Sequence, residues 1–474
     1  MNHPEIDAGF NWGAPFTCMN VKLARPIQTF DISFSGGKPL SLVEKTTDDN
    51  GRRGWSEVHV QGAVIFRKAS PGTPNSAVSV EIVSNDDRLP VSILWDGESQ
   101  ALQITVPQRF DWGQKSLRPG VNIKATVWVP EDGRLETLRV EATHLDIKLL
   151  DNLSLSISQQ TWLLSTVGSI TAASTGVEAR DGKVIGTGAP NTFSFYSRMI
   201  QVKTTSADIT GSWPLYDYLL LQSMSGNVRV WVAPKDANGD DPRPAILSIS
   251  SISGDVQFRE PIHGAEHAFN LAQAFPDSAR QQEERKAKAF LPPRDYRVDV
   301  HTASGNIGGV AAFSSSANFR STSGDIDIKL LPVLDSSLAE DGARDVKLST
   351  GSTSGSTVVT VLDPLWVETD GYVARNAEIS RDAMLRCMYS SHTSTSANIR
   401  LWYPESWEGD IALSALSGEL KIGGEGVKLI KKDSSWPGFN KSLLARKGEQ
   451  GPGGKIEVKS TSGDLAVWVG AKSK

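Results

Sequence analysis

The residue pattern in this chain that is most typical of catalysis is His263-Gly-Ala-Glu-His267, which matches the zinc motif H-x-x-E-H. In that motif two histidines one helical turn apart hold the metal, and the glutamate serves as a general base. No third ligand is evident next to it, although Glu283 and Glu284 follow in the same segment. His263 and His267 are therefore a candidate metal site, and two solvent-exposed loop histidines are the alternative.

A second chemical pattern is the recurrence of aspartate directly after Ser-Gly, at Asp255, Asp325 and Asp464. Glycoside hydrolysis needs two carboxyl groups roughly 5–10 Å apart, and stacked β-coils about 4.8 Å apart could supply them. Aspartate in this position is also what a tight turn favours, because its side chain accepts hydrogen bonds from nearby backbone. The turn is the preferred interpretation, so no catalytic residue is assigned.

Aromatic side chains are concentrated in the C-terminal third of the chain, at Trp402, Tyr403, Trp407 and Trp436. Exposed Trp and Tyr rings stack on sugar rings or on apolar ligands, whereas buried rings fill a core. The alternation along the strand predicted here places Leu401 and Trp402 on opposite faces. These four aromatic residues are the candidate ligand-binding surface, with core or cap packing as the alternative.

The elements that must position these residues are indicated by a short repeat. A Ser/Thr-x-Ser-Gly-Asp/Asn turn, in which glycine tolerates positive φ, is followed by apolar residues that alternate with the period of a strand. Turns lie about twenty residues apart, too few to bury a stable core alone, so the pattern predicts an all-β fold of the β-solenoid type with stacked β-coils. The clearest copies begin at Ser223, Ser251, Thr302, Ser321 and Ser460.

The domain organisation follows from where these repeats begin. Residues 1–160 contain alternating apolar segments but no clear copy, which predicts an N-terminal β region of capping or early coils. Residues 161–474 form the predicted solenoid domain. The longest interval between turns, at 261–293, has helical spacing of Ala268, Leu271, Ala272 and Phe275, and predicts one inserted helix.

Composition limits the classes of function. The 474-residue chain has a net charge of −5 with acidic and basic residues mixed, so no basic face for nucleic acid is expected. No segment approaches the roughly 18 apolar residues of a membrane span, and the N-terminus has no signal-peptide pattern. The sequence predicts a soluble protein, cytoplasmic as written, and secreted or at the cell surface if an export signal has been removed.

Two cysteines, Cys18 and Cys387, are too few for a disulfide scaffold, and the sequence leaves their pairing open. No cofactor is expected, because the glycine-rich stretches lack the Lys-Ser/Thr ending or the βαβ setting of phosphate loops. The sequence leaves the oligomeric state open as well.

The repeats support a resemblance to known proteins. Four segments carry it: Asp295-Tyr-Arg-Val-Asp-Val-His-Thr-Ala-Ser-Gly, Ser321-Thr-Ser-Gly-Asp-Ile-Asp, Trp407-Glu-Gly-Asp-Ile-Ala-Leu-Ser-Ala-Leu-Ser-Gly and the closing Ser460-Thr-Ser-Gly-Asp-Leu-Ala-Val. They resemble the repeats of auto-transporter adhesin-like proteins, and most of all those of uncharacterised fungal adhesin-like proteins, over about residues 160–470. The resemblance implies a repeat fold and a role in adhesion, and it assigns no catalytic residue.

Together these observations predict a noncatalytic adhesion or binding scaffold whose partner is a glycan or a protein surface. The alternative is an enzyme on the same scaffold that acts on a glycan or a small metabolite. A solenoid hosts both kinds of function, so the fold does not choose between them.

Overall fold

The computed structural model describes residues 23–47, 56–70, 73–111, 118–150, 152–173, 179–180, 183–184, 193–262, 291–335, 346–367, 385–434, 441–449 and 453–470. The 37 elements assigned within them are all β-strands, which confirms the predicted all-β class. The helix predicted at 261–293 falls mainly on residues 263–290, which lie outside the described residues. Within the part described, no helix has the length and apolar character needed to cross a membrane.

Sixteen strands form one continuous sheet, here called sheet I. Neighbouring strands are parallel through the interior of the sheet, and antiparallel pairs occur only at its two ends, next to β7 and β35. In spatial order the strands are β34 (Val427–Ser434), β35 (Lys441–Lys447), β32 (Gly409–Ala415), β36 (Gly454–Ser460), β30 (Met388–Ser394), β27 (Val346–Ser352), β25 (Ser316–Ser321), β23 (Tyr296–Thr302), β21 (Ala245–Ser251), β19 (Tyr218–Ser223), β17 (Ser194–Thr204), β13 (Ser154–Ser165), β11 (Gly133–Ala142), β3 (Leu40–Thr47), β8 (Ala101–Pro107) and β7 (Ser92–Asp96).

A second set of parallel strands, here called sheet II, packs against sheet I. Phe258 of sheet II stacks on Phe319 of sheet I, with ring centroids 6.3 Å apart, so the core lies between the two sheets. In spatial order sheet II contains β10 (Gly120–Val129), β5 (His59–Lys68), β12 (Asp146–Leu149), β14 (Ile170–Ala172), β18 (Ile209–Leu215), β20 (Val228–Pro234), β22 (Val256–Arg259), β24 (Ile307–Phe313), β26 (Ile326–Asp335), β28 (Thr357–Val361), β31 (Ile399–Tyr403), β37 (Leu465–Val469) and β33 (Leu420–Gly424).

The remaining strands are short or peripheral. An antiparallel group joins sheet II at β10, and β29 pairs with part of β26. These strands are β1 (Leu23–Ala24), β2 (Gln28–Asp31), β4 (Ser56–Glu57), β6 (Ala77–Ser84), β9 (Arg109–Phe110), β15 (Ala179–Arg180), β16 (Lys183–Val184) and β29 (Leu365–Val367).

From β17 to β28 the chain alternates strictly between sheet I and sheet II, and one strand from each sheet with the corner between them is called a coil below. The corners that lead from sheet I to sheet II lie along one side of the stack, here called the ladder edge. Ten of these corners, the first at 166–169 and the last at 461–464, have four residues each. The connections that return from sheet II to sheet I form the loop edge, and they range from two residues at 216–217 to the whole segment 260–295.

Corner glycines are required for a different reason from the one expected. Gly254, Gly305, Gly324 and Gly355 do not adopt positive φ. A Cβ atom on each would instead lie 1.9–2.0 Å from the carbonyl oxygen of the corner glycine in the neighbouring coil. Glycine is therefore selected because stacked corners approach closely, and any side chain would force two coils apart.

The last coil of the sequence is not the last coil in space. Strand β36 pairs with both β30 and β32, and β37 pairs with both β31 and β33. The C-terminal coil at 454–469 thus inserts between two coils that precede it in the sequence, and the coil at 409–424 lies at the end of the stack. This rearrangement decides which side chains become neighbours on the outer surface.

The division at residue 160 stays a prediction. Strand β13 (Ser154–Ser165) spans that position and pairs with β11 on one side and β17 on the other, and both pairings shift register between Ile157 and Gln160.

Candidate functional site

The outer face of sheet II carries two stacked tryptophans near the C-terminal end of the stack. Trp402 in β31 and Trp468 in β37 are paired in register. Their ring centroids are 5.2 Å apart and their planes differ by 12°. Leu401 and Tyr403 on either side of Trp402 are buried, and strand alternation therefore directs the half-buried Trp402 outwards.

The residues beside this pair are small or polar. Thr360 of β28 is the register partner of Trp402 on one side, and Gly423 of β33 is the register partner of Trp468 on the other. A Cβ atom at Gly423 would lie 3.1 Å from Cδ1 of Trp468, so the indole leans over the glycine. A ring packed over a strand glycine covers backbone that the glycine leaves bare. The remaining ring surface is partly accessible to solvent.

Charged side chains border the tryptophans. Arg400 lies two residues before Trp402 on the same face and is exposed. Lys421 is also exposed, and its Nζ lies 2.7 Å from a carboxylate oxygen of Glu419. An exposed aromatic surface with hydrogen-bond donors at its rim can contact an apolar ring face while the donors bind polar substituents.

Two of the predicted surface residues lie in the core instead. Tyr403 is 1% exposed and Trp407 is 0% exposed, and their rings pack at 5.8 Å with a 55° tilt. The Tyr403 hydroxyl lies 3.1 Å from Nε2 of His392, whose Nδ1 lies 2.8 Å from the Thr350 hydroxyl. Burial lowers the pKa of His392 to about 3, so this histidine is neutral at physiological pH. The Thr350–His392–Tyr403 chain is a buried hydrogen-bond network that no ligand reaches from outside.

The remaining predicted site residues are not among those that the structure describes. Trp436, His263 and His267 lie outside the described residues, as does Cys18. Among the residues that the structure does describe, no group of three or more His, Cys, Asp or Glu side chains is arranged to hold a metal ion.

The corner aspartates form a hydrogen-bonded ladder along the ladder edge. An Oδ1 atom in each corner accepts a hydrogen bond from the backbone N–H of the neighbouring corner: Asp255 from Asn306 at 2.9 Å, Asn306 from Asp325 at 2.9 Å, and Asp325 from Ser356 at 2.8 Å. Asp255 and Asp325 are separated by Asn306, so the two carboxylates are not on adjacent coils. The ladder therefore uses these carboxylates to hold corners together.

Trp468 is not among the residues predicted from the sequence for this surface. Its strand, Leu465-Ala-Val-Trp-Val, has the same apolar alternation as the strand of Trp402, which indicates that both tryptophans face outwards. The sequence does not show the order in which the coils stack in space. Only the insertion of the last coil between two earlier ones brings Trp468 next to Trp402.

Comparisons with known proteins give little further information. No family model matches this chain, and no curated protein matches it. A crystal structure described as a "putative cell adhesion protein" from Clostridium sporogenes is similar to it at 6% identity, covering 94% of this chain and 99% of that one, with a TM-score of 0.13. A similarity this low carries no argument about fold or function, and nothing in the comparisons supports the fungal part of the predicted resemblance.

Proposed function

We propose that this chain is a noncatalytic binding scaffold, a β-solenoid that presents the Trp402–Trp468 pair to a carbohydrate. Adhesion to a glycan-bearing surface is the role that such a scaffold would serve. The observation that carries the proposal is the outward, nearly parallel stacking of these two rings on a regular sheet.

The solenoid part of the proposal is supported by the regular coils. Strands alternate between two parallel sheets, and ten corners of equal length lie along one edge. Each coil buries its apolar side chains against its neighbours, which is how repeat architectures gain stability.

The carbohydrate part is supported by the chemistry of the surface. Pyranose rings have an apolar C–H face and polar hydroxyl groups at their rim. The indole surface can contact the apolar C–H face, and Arg400 and Lys421 supply hydrogen-bond donors for the hydroxyl groups. The tryptophans also lie on strands, which hold a binding geometry more rigidly than a loop does.

An enzyme on the same scaffold remains the alternative from the sequence. Asp255 and Asp325 do not favour it, because both accept backbone hydrogen bonds and they lie two coils apart. The experiment below tests both functions in one assay.

The test is incubation of the purified protein with a panel of cell-wall and plant polysaccharides, with measurement of the bound fraction and of newly released chain ends. Wild type is expected to bind at least one polysaccharide without release. Trp468→Ala or Trp402→Ala should weaken that binding by about fivefold to tenfold, the equivalent of about 1–1.4 kcal/mol for one aromatic stacking contact.

The matched control is Trp162→Ala, which removes a 41% exposed tryptophan from the outer face of sheet I. This variant should bind as wild type does. Equal binding by all four proteins, or no binding by wild type, contradicts the proposal. Release of new chain ends replaces it with the enzymatic alternative.

A further inference from the structure

The two end strands of sheet I are complementary to each other in their open backbone edges, apolar side chains and charge. Strand β34 ends the sheet at one side and β7 ends it at the other. Within the described residues, β34 pairs only with β35, and β7 pairs only with β8. Each strand thus has one backbone edge that no described strand covers, and such an edge is a template for pairing with another chain.

Both terminal strands expose large apolar side chains. Leu94 of β7 is 66% exposed, and Leu429 and Ile430 of β34 are 60% and 58% exposed. Leu429 is the register partner of Ala445, which is buried on the inner face of the sheet. Leu429 therefore lies on the same inward-facing side of the sheet as Ala445, one strand further out, and unlike Ala445 it is exposed.

The inner face of β7 offers a continuation of that row. Trp95 is the register partner of Leu102, and Ile93 is the register partner of Ile104. Leu102 and Ile104 are both buried in the core, so Ile93 and Trp95 share their face. A copy of β7 placed beside β34 would set Ile93 and Trp95 next to Leu429 on one continuous inner face.

The two ends carry opposite charge. Strand β34 exposes Lys428, Lys431 and Lys432, of which Lys431 pairs with the exposed Asp433, so its charged side chains are mostly basic. The β7 end exposes Asp87, Asp96 and Glu98, with Arg88 engaged by Asp86. The ends of one molecule are therefore electrostatically complementary to each other, and each end repels its own kind.

Strand direction also fits. Strand β34 runs parallel to the central strands of sheet I, because it is antiparallel to β35, which is antiparallel to β32. Strand β7 runs opposite to them, because it is antiparallel to β8. A second copy that continues the sheet in the same orientation would thus pair its β7 antiparallel with β34 of the first, the pairing that a short hairpin edge forms best.

We propose that copies of this chain associate head to tail, with β34 of one copy pairing with β7 of the next. The contact is heterologous, so each added copy leaves the same two ends free and the assembly grows as a linear array. The β-bulge at Ile430 and the lysines of β34 are features that discourage indiscriminate edge pairing. They restrict the partner to an acidic edge such as that of β7.

The test is light scattering coupled to size-exclusion chromatography over a range of protein concentrations. Wild type is expected to form dimers and longer species that increase with concentration and decrease as ionic strength rises. Variant K, with Lys428→Glu and Lys431→Glu, has two acidic ends. Variant D, with Asp87→Lys and Glu98→Lys, has two basic ends. Each variant alone should be monomeric, with association at least about tenfold weaker than wild type.

An equimolar mixture of the two variants should assemble again, because each acidic end then finds a basic one. The control makes the same change of charge as variant K, but on middle strands, with Arg229→Glu and Lys347→Glu. It should assemble as wild type does. Leu94→Ser, which keeps every charge, should weaken association while circular dichroism stays unchanged. A monomeric wild type, assembly by either reversed variant alone, or a mixture that stays monomeric would each overturn the proposal.

Discussion

At the ladder edge ten corners have identical length and most repeat the same contacts, whereas at the loop edge the connections vary from two residues to thirty-six. At seven of the ten corners a serine Oγ accepts a hydrogen bond from the backbone N–H three residues later, whereas Thr204 and Thr302 donate to a corner carbonyl instead. Ser321 is typical: its Oγ accepts a hydrogen bond from the backbone N–H of Gly324 at 2.8 Å and donates to the Gly305 carbonyl at 3.3 Å. Uniform geometry leaves this edge no room for insertions.

In the described part of the loop edge, the Arg294, Arg198 and Asp217 contacts are not repeated from coil to coil. The buried Arg294 donates to Oδ1 of Asp217 at 3.0 Å, to the Lys235 carbonyl at 2.8 Å and to the Arg243 carbonyl at 2.6 Å. Arg198 contacts the other carboxylate oxygen of Asp217 at 2.5 Å. One buried aspartate and two arginines thus fix the loop at 235–244 against the stack.

The difference between the edges indicates where the chain tolerates insertions and substitutions. In repeat architectures insertions collect on one side, and that side is often the one that binds partners. Here the ladder edge specifies how coils stack, and the loop edge can vary without disturbing that stacking. Substitutions at the two edges should therefore have very different effects on stability.

The largest expected effect comes from Gly324→Ala at the ladder edge. The new Cβ would lie 1.9 Å from the Gly305 carbonyl oxygen, so two coils must separate and lose corner hydrogen bonds. We expect a loss of more than about 3 kcal/mol in the free energy of unfolding, beyond ordinary overpacking. Urea unfolding followed by circular dichroism measures it.

The matched substitution at the loop edge is Gly239→Ala, because a Cβ there meets nothing within 4 Å. Its effect should stay within about 0.5 kcal/mol. Equal effects of the two alanines would contradict the distinction between the edges.

A second expected effect concerns Glu260, which begins the longest connection at the loop edge. Its side chain is buried, Oε2 accepts a hydrogen bond from the Ala312 N–H at 2.8 Å, and Oε1 has no partner in the described part of the chain. Burial raises the pKa of Glu260 to about 8 from its ordinary value of 4.5. This carboxyl is therefore kept mostly protonated at neutral pH.

Glu260→Gln should stabilise the protein by an amount that depends on pH. Below about pH 4.5 the glutamate is protonated in both the folded and the unfolded chain, so the substitution gains nothing from charge. As the pH rises towards 8, only the unfolded chain loses the proton, and wild type loses up to about 1.4 kcal/mol per pH unit. The gain in the variant should reach up to about 3 kcal/mol at pH 7.

Thermal unfolding of both proteins from pH 4 to pH 8 measures this difference. Replacement of the exposed Glu98 by Gln is the control and should give a difference that is small at every pH. A gain from Glu260→Gln that does not change with pH would show that Glu260 is ionised in the folded chain.

Much of this architecture could be predicted from the sequence, because the repeat acts locally. The corner motif and the period-two alternation after it place Val228, Val256 and Ile326 inside their strands, and all three are buried. The sequence could not show that Gly254, Gly305, Gly324 and Gly355 are needed for close stacking and not for positive φ. That requirement arises between coils, from residues about twenty or more positions away.

The candidate site was predicted less well, for a related reason. Alternation correctly separates Trp402 from Leu401, but it cannot show that Tyr403 and Trp407 share one core contact. It also cannot place Trp468 beside Trp402, because that contact depends on the last coil entering the stack out of sequence order. Local patterns determine which face a residue takes, and coil order determines its neighbours.

The smallest expected effect tests the charge pattern of the ladder. Acidic and amide side chains alternate along five neighbouring corners: Asp208, Asn227, Asp255, Asn306 and Asp325. An amide between two carboxylates keeps like charges two coils apart, and the Asn306 amide also donates to Asp255 at 3.2 Å. Asn306→Asp would place three carboxylates on consecutive coils.

We expect Asn306→Asp to lower the free energy of unfolding by about 1 kcal/mol at pH 7, since the charges are exposed and partly screened. Its two acidic neighbours raise the pKa of the new carboxyl in the folded chain above the unfolded value of about 3.9. The loss is therefore absent below about pH 4, where the group is protonated in both states, and grows as the pH rises through the folded pKa. Asn306→Ser removes the amide without adding charge, so its effect should not vary with pH. If both variants follow the same pH profile in thermal unfolding, the alternation of charge has no role in stacking, and the ladder depends on hydrogen bonds alone.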